Sequence, residues 1–113
     1  MKIVIETISM DEIKTMAANL FGEMVKAVVD VEREVMAIDA ELHSDLEALL
    51  LENGSSQKDV WGINIYPELS GDGFIEFDSM INMRPRQNNK SRGVDDKVLR
   101  DKISSIVAKK VKQ

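Results

Sequence analysis

Apolar and polar residues alternate along residues 60–85, VWGINIYPELSGDGFIEFDSMINMRP, in two stretches separated by a turn-forming segment from Pro67 to Gly73. This period-2 alternation predicts two half-buried strands joined as a β-hairpin. The predicted apolar face carries Trp61, Ile63, Ile65, Ile75, Phe77, Ile81 and Met83, and the predicted polar face carries Asn64, Glu76, Asp78, Asn82 and Arg84. An isolated hairpin is marginal in water, so we expect helices to cover the apolar face while the polar face stays in solvent.

Three segments have the spacing and end signals of helices. The first begins at Ser9, which with Glu12 forms a capping box ahead of an apolar stripe that starts at Ile13. The second is predicted from Ala40 to Asn53, with Asp39 as N-cap and a buried stripe of Leu42, Leu46, Leu49 and Leu50. The third is opened by Asp95 or Asp96 and buries Leu99, Ile103, Ile106 and Val107.

Two further regions predict strands. Residues 2–7 form a short apolar strand, and the β-branched run from Val25 to Ile38 predicts strands at about 25–31 and 34–38 that turn near Glu32 and Arg33. No glycine or proline marks that turn, so a continuation of the first helix is the alternative. The predicted order is β-α-β-β-α-β-β-α. It indicates a single α+β domain over residues 1–113, with a mixed, mostly antiparallel sheet covered by three helices mainly on one side.

Composition sets the broad class. The chain has 113 residues, 43% hydrophobic and 31% charged, which is ordinary for one globular domain. With no cysteine, disulfides and thiolate chemistry are excluded, which fits a reducing cytoplasm. The sequence shows no signal peptide and no apolar run of membrane-spanning length, so we expect a cytoplasmic protein with no membrane contact.

Charge is distributed unevenly. Residues 1–83 contain 5 Lys/Arg and 17 Asp/Glu (net −12), whereas residues 84–113 contain 10 Lys/Arg and 3 Asp/Glu (net +7). The basic segment is expected to lie against the acidic body, within one chain or across a homo-oligomer. The alternative is a patch that binds phosphate or nucleic acid. The acidic body and the scarcity of aromatic residues argue against nucleic acid.

The second helix supplies the candidate metal ligands. His43 is the only histidine in the chain, so any imidazole ligand or base must be this residue. His43 and Glu47, four residues apart, could bind a divalent metal together with Asp30 from a strand, and such a metal could activate water. The same spacing also fits charged residues on the solvent face of an amphipathic helix.

The polar face of the hairpin and the loop after it supply the candidate ligand site. Asn64, Asn82, Arg84 and Arg92 are the candidate binding residues, because amides and guanidinium groups recognise carboxylates and phosphates directionally. A small anion is therefore the expected ligand. The alternative is cross-strand pairing of these side chains with solvent contact. The loop from Pro85 to Val94 is expected to be irregular, basic and mobile at its tip.

Three segments, ELHSDLE at residues 41–47, WGINIYP at 61–67 and SMINMRP at 79–85, together with VVDVE at 28–32, resemble a family of short bacterial and archaeal proteins of unknown function. The resemblance spans nearly the whole chain and implies no activity. The residues themselves favour a non-enzymatic binding or interaction module that self-associates. The alternative is a small metal-dependent hydrolase of phosphate esters, with Arg84 and Arg92 holding the phosphate, so whether the chain is an enzyme stays open.

Overall fold

The two central strands have six residues each and are the longest in the chain. The computed structural model describes residues 1–113, and in it β3 (Val25–Asp30) and β5 (Val60–Ile65) pair antiparallel along their whole length. Three shorter strands complete an antiparallel sheet of order β1-β4-β3-β5-β6; they are β1 (Lys2–Val4), β4 (Val35–Ile38) and β6 (Ile75–Glu76). The helices are α1 (Met10–Asn19), α2 (His43–Glu52) and α3 (Lys97–Lys110). The predicted α+β class is confirmed.

Two short strands that the sequence pattern did not predict tie the ends of the chain together. β2 (Ile8–Ser9) runs directly into α1, and β7 (Val111–Lys112) follows directly after α3. They pair in parallel, so the start of α1 and the end of α3 are held side by side. No helix of the structure combines the length and the apolar character that a membrane crossing needs.

Both faces of the sheet are covered. On one face Trp61, Ile63 and Ile65 pack with α1 and α3 in a core of 17 buried residues, which confirms the predicted apolar side. On the other face Leu46 and Leu50 of α2 pack in a core of six buried residues. The expectation of helices mainly on one side is therefore wrong for α2. The reason is that β4 is apolar on both faces, with Met36 and Ile38 in the larger core and Val35 and Ala37 in the smaller one, and a strand buried on both faces needs a cover on both.

The β3–β4 turn confirms the two-strand interpretation of residues 25–38 over a continued helix. Asp30 Oδ1 accepts hydrogen bonds from the backbone N–H groups of Glu32 and Arg33, both at 2.9 Å. Glu34 then adopts a left-handed conformation with φ of 53°. The side chain of Asp30 thus supplies the turn signal that a glycine or proline would otherwise give.

Helix caps were predicted with mixed success. Ser9 accepts from the N–H of Glu12, and Asp96 accepts from the N–H of Val98, so both predicted caps are confirmed. The predicted start of α2 is wrong. Asp39 has a φ of 79° and does not cap the helix, which begins three residues later than expected, at His43, without a side-chain cap. Leu42, predicted to be buried, is 58% exposed because it lies outside the helix.

The second arm of the hairpin is shorter than the alternation predicts. Only Ile75 and Glu76 pair with β5, and residues 80–82 form a 3₁₀ turn that starts after Ser79. The turn reverses the predicted sidedness, because Asn82 is fully buried while Met83 is 47% exposed. The polar face expected in solvent is thus partly enclosed, and this enclosure positions the candidate site.

Candidate functional site

Asn82 occupies the place of a missing strand beside β5. Its Oδ1 accepts from the backbone N–H of Gly62 at 2.8 Å, and its Nδ2 donates to the Gly62 carbonyl at 2.9 Å. The same Nδ2 donates to the carbonyl of Arg92 at 3.0 Å. A backbone neighbour would satisfy the same two groups of Gly62, so the amide side chain continues the sheet where β6 ends. Asn82 therefore has no hydrogen-bonding capacity left on its nitrogen for a ligand.

Gly62 is glycine because other side chains fill the space over it. A Cβ built at Gly62 would lie 2.6 Å from the Cβ of Ser79 and 3.2 Å from Cδ2 of His43. Ser79 is itself buried, and its hydroxyl accepts from the N–H of Ile81. The missing side chain of Gly62 thus allows the turn after Ser79 and the first residue of α2 to meet over β5.

Arg84 is held rigidly beside Val60, the first residue of β5. Its Nε donates to the carbonyl of Ile81 at 2.9 Å, its Nη1 donates to Gln57 O at 2.7 Å, and its Nη2 donates to the Val60 carbonyl. The guanidinium carbon lies 4.5 Å from the centroid of the Trp61 ring. These contacts fix the plane of the guanidinium group while leaving two of its five N–H donors unassigned.

A single carboxylate faces Arg84. Glu47 Oε2 lies 3.7 Å from Nη2, and the Arg84 side chain is only 10% exposed. Burial lowers the pKa of Arg84, and the negative charge of Glu47 opposes that effect. An arginine remains charged throughout the physiological range, so the site holds a positive charge that is partly desolvated.

The loop after Arg84 is anchored by a buried amide. Asn89 is 3% exposed, and its Nδ2 donates to the carbonyls of Asn82 and Gly93 at 2.7 and 2.8 Å. Its Oδ1 accepts from the N–H of Asp95 at 2.8 Å. Asn88 reverses the chain in a left-handed conformation, with φ of 60°. These bonds close the loop on itself and fix the residues that precede it.

An open pocket of about 400 Å³ lies against Arg84, and we call it the Arg84 pocket. Five residues line it, of which two are arginines and two are glutamines: Gln57, Arg84, Pro85, Arg86 and Gln87. None of them is acidic. Gln87 Nε2 donates to the carbonyl of Lys58 at 3.0 Å, which draws the segment before β5 to the wall of the pocket. The side chains that line the pocket therefore carry guanidinium and amide groups and no negative charge.

The predicted metal ligands are not brought together. Asp30 is fully buried and bonds to the turn after β3 and, through Oδ2, to the Ser55 hydroxyl at 2.6 Å. Glu47 faces Arg84, and His43 Nε2 donates to the Ile63 carbonyl at 2.7 Å. No group of three or more His, Asp or Glu side chains is arranged to hold a metal ion.

The remaining predicted residues, Asn64 and Arg92, lie near His43 instead of the Arg84 pocket. Asn64 is 4% exposed, and its Nδ2 donates to Glu76 Oε1 at 2.8 Å and to the Asp78 carbonyl at 3.3 Å. Arg92 pairs with the Asp78 carboxylate at 2.6 Å in a half-exposed ion pair. The four predicted ligand residues thus divide between two ends of β5, and only Arg84 lines an open pocket.

Gln57 is the pocket residue farthest from Arg84 in the sequence, and the sequence pattern did not indicate it as a site. It lies 27 residues before Arg84 and reaches the pocket because Arg84 donates to its carbonyl. No local signal marks it, since the two loops meet only through the tertiary structure. A larger groove of about 620 Å³ between α1, α3 and the loop at residues 67–71 contains none of the predicted site residues.

Comparison with known proteins gives a family and no activity. The model of the family described as "Protein of unknown function (DUF5674)" matches residues 2–110. No curated protein and no solved structure matches the chain.

Proposed function

The chain belongs to the DUF5674 family of proteins of unknown function, and from the geometry of its site we propose that it is a non-enzymatic binding module for a small anion. The observation that carries this proposal is the lining of the Arg84 pocket, which contains two arginines, two glutamines and no acidic residue, while Glu47 approaches Arg84 from outside that lining. Its volume of about 400 Å³ falls within the usual range of small-molecule sites.

Arg84 supports the proposal through its rigidity. Three backbone carbonyls and the Trp61 ring hold its guanidinium group in one plane. A group fixed before binding loses little conformational freedom when a ligand arrives, which favours affinity. Guanidinium groups match the geometry of carboxylate and phosphate oxygens, so these are the anions we expect.

Arg86 supplies the accessible charge. It is exposed, lines the pocket and forms no ion pair within the chain. Removing Arg86 should therefore weaken anion binding without removing a contact that stabilises the fold. Arg84 is unsuitable for this purpose, because its loss would also leave three carbonyls without their donor.

Thermal unfolding in inorganic phosphate tests the proposal. A ligand that binds only the folded chain stabilises it by about 2.7 kcal/mol at a concentration 100 times its Kd. We expect phosphate to raise the unfolding midpoint above that in sodium chloride of equal ionic strength, and Arg86→Gln to lose most of that rise. Lys102→Gln is the matched control, because it removes one positive charge from an exposed position on α3.

Two results would reject this site. One is a midpoint in phosphate no higher than in sodium chloride. The other is an equal rise for Arg86→Gln and the unmodified chain. The hydrolase alternative has no comparable support, because Asp30, His43 and Glu47 each bind elsewhere in the structure.

A further inference from the structure

The groove of about 620 Å³ between α1, α3 and the loop at residues 67–71 is a second cavity, and we call it the α1–α3 groove. It shares no lining residue with the Arg84 pocket. Half of its 14 lining residues are hydrophobic, so it differs from the polar Arg84 pocket in the kind of ligand it can accept. Its volume falls within the usual range of small-molecule sites.

Apolar side chains form the floor of the α1–α3 groove. Met10 begins α1, Val107 lies in the last turn of α3, and Val111 begins β7; all three are at least nine-tenths buried. Phe74 and Ile75 line the groove from the side of β6 and are only partly buried. An apolar group in the groove would cover the surface that these side chains still expose to water, which is favourable.

Two charged side chains also line the groove, and they have opposite signs. Lys14 lies one turn after Met10 on α1, and Glu68 lies in the loop after Pro67. Lys14 Nζ is 3.9 Å from Glu68 Oε1, which is beyond hydrogen-bonding distance, and neither side chain forms another ion pair. The pair therefore leaves the donors of Lys14 and the acceptors of Glu68 available to a ligand.

This pair of charges restricts the charge of a ligand. A simple anion would be repelled by Glu68, and a simple cation would be repelled by Lys14. A neutral apolar molecule would cover both charged groups without giving either a hydrogen bond, which is unfavourable. A zwitterion satisfies both groups. In an α-amino acid the ammonium and carboxylate groups are attached to the same carbon, so both can reach two side chains that lie 3.9 Å apart.

We infer that the α1–α3 groove binds an α-amino acid with an apolar side chain. The ligand carboxylate accepts from Lys14, its ammonium group donates to Glu68, and its side chain packs on the floor beside Met10. One helical turn, about 5.4 Å, separates Lys14 from Met10, and the side chain of leucine or phenylalanine spans that distance. Aliphatic and aromatic amino acids share this chemistry, and the experiment below separates them.

Nuclear magnetic resonance titration of the full chain provides the test, with the backbone amides of three lining residues, Gly71, Ser104 and Ala108, as reporters. The probes are L-leucine and L-phenylalanine. Isocaproate and hydrocinnamate are the matching analogues without the ammonium group, and isoamylamine and phenethylamine are those without the carboxylate. We expect one amino acid to shift the reporters saturably, with an affinity roughly tenfold or more above that of its two analogues, because each analogue leaves one charged group of the groove unpaired. The tighter of the two amino acids shows whether the site is aliphatic or aromatic.

Two variants assign the charged groups. Glu68→Gln should remove the preference for the amino acid over its carboxylate analogue, and Lys14→Met should remove the preference over its amine analogue. The Lys14–Glu68 pair is exposed and contributes little to stability, so both variants should fold. Glu52→Gln and Lys102→Met are the matched controls, because both residues are exposed and neither lines the groove. Each control should keep both preferences.

The inference is overturned if no amino acid shifts the reporters saturably, or if an analogue binds as tightly as its amino acid. It is also overturned if Glu68→Gln or Lys14→Met keeps the full preference. Arg86→Gln should leave these titrations unchanged, so failure of the Arg84 pocket and failure of the α1–α3 groove are distinguishable.

Discussion

Replacement of Asn82 by alanine is expected to be among the most destabilising polar substitutions in the chain. The side chain is fully buried and forms three hydrogen bonds, two to the backbone of Gly62 and one to that of Arg92. Truncation leaves the N–H and carbonyl groups of Gly62 without partners inside the protein, where no strand can replace the lost amide.

The magnitude follows from these bonds. A buried donor or acceptor left unpaired costs about 1–3 kcal/mol, and two such groups of Gly62 are affected. We therefore expect Asn82→Ala to lower the free energy of unfolding by about 3–5 kcal/mol, a large share of the roughly 5–15 kcal/mol typical of a domain. With a urea m-value of about 1.5 kcal/mol/M, the unfolding midpoint should fall by about 2–3 M.

Urea denaturation followed by Trp61 fluorescence measures this change. Asn19→Ala is the control, because Asn19 is exposed and its side chain forms no hydrogen bond, so its effect should stay within about 0.5 kcal/mol. Asn82→Asp should also destabilise, since the carboxylate can still accept from the Gly62 N–H but cannot donate to its carbonyl. If Asn82→Ala unfolds at nearly the same urea concentration as Asn19→Ala, the side chain does not substitute for a strand.

Three further predictions concern the face of the sheet that α2 covers and the assembly of the chain. Gly62→Ala should lower the free energy of unfolding by about 1–3 kcal/mol, because the new Cβ overlaps Ser79. Adding Ser79→Gly to the same chain should recover part of that loss. If the two substitutions instead change the free energy of unfolding additively, the overlap is contradicted. Burial lowers the pKa of His43 below its ordinary value of 6.5, the hydrogen bond to Ile63 opposes this, and the charge of Lys26 adds to it. As the pH falls, the unfolded chain therefore takes up a proton on His43 before the folded chain does. The contribution of His43 to stability should be full above pH 6.5 and should be lost as the pH drops from 6.5 towards the lowered pKa. His43→Gln should reduce the change in urea midpoint between pH 7.5 and 5, and an unchanged pH dependence would show that another group is responsible. Self-association, predicted from the charge split, should appear in light scattering as an assembly larger than one chain, and a monomer at both low and high salt would remove it.

The charge split itself is partly explained within one chain. Three ion pairs join the basic C-terminal segment to the acidic body: Arg84 with Glu47, Arg92 with Asp78, and Lys109 with Glu34. The uneven distribution of charge along the sequence predicted that the two segments would meet. The ion pairs identify the residues through which they meet. The pairs of Arg92 with Asp78 and of Lys109 with Glu34 are exposed, so salt should weaken them more than the largely buried pair of Arg84 with Glu47.

Local patterns determined much of this protein. The alternation around Trp61 predicted its buried side, the β-branched run predicted β3 and β4, and the caps at Ser9 and Asp96 were predicted from single residues and their neighbours. These features depend on the backbone within a few residues, where side-chain spacing and local hydrogen bonds dominate.

Only the tertiary structure decided which polar residues face inwards. Asn82 lies 20 residues from Gly62 and Arg84 lies 27 from Gln57, so no local pattern could show that an amide would complete the sheet or that two loops would form a pocket. Alternation assigned Asn82 to solvent because it assumed a continuous strand. The physical reason for the difference is that a buried amide is tolerated wherever the fold supplies its partners, and those partners are set by the packing of distant segments.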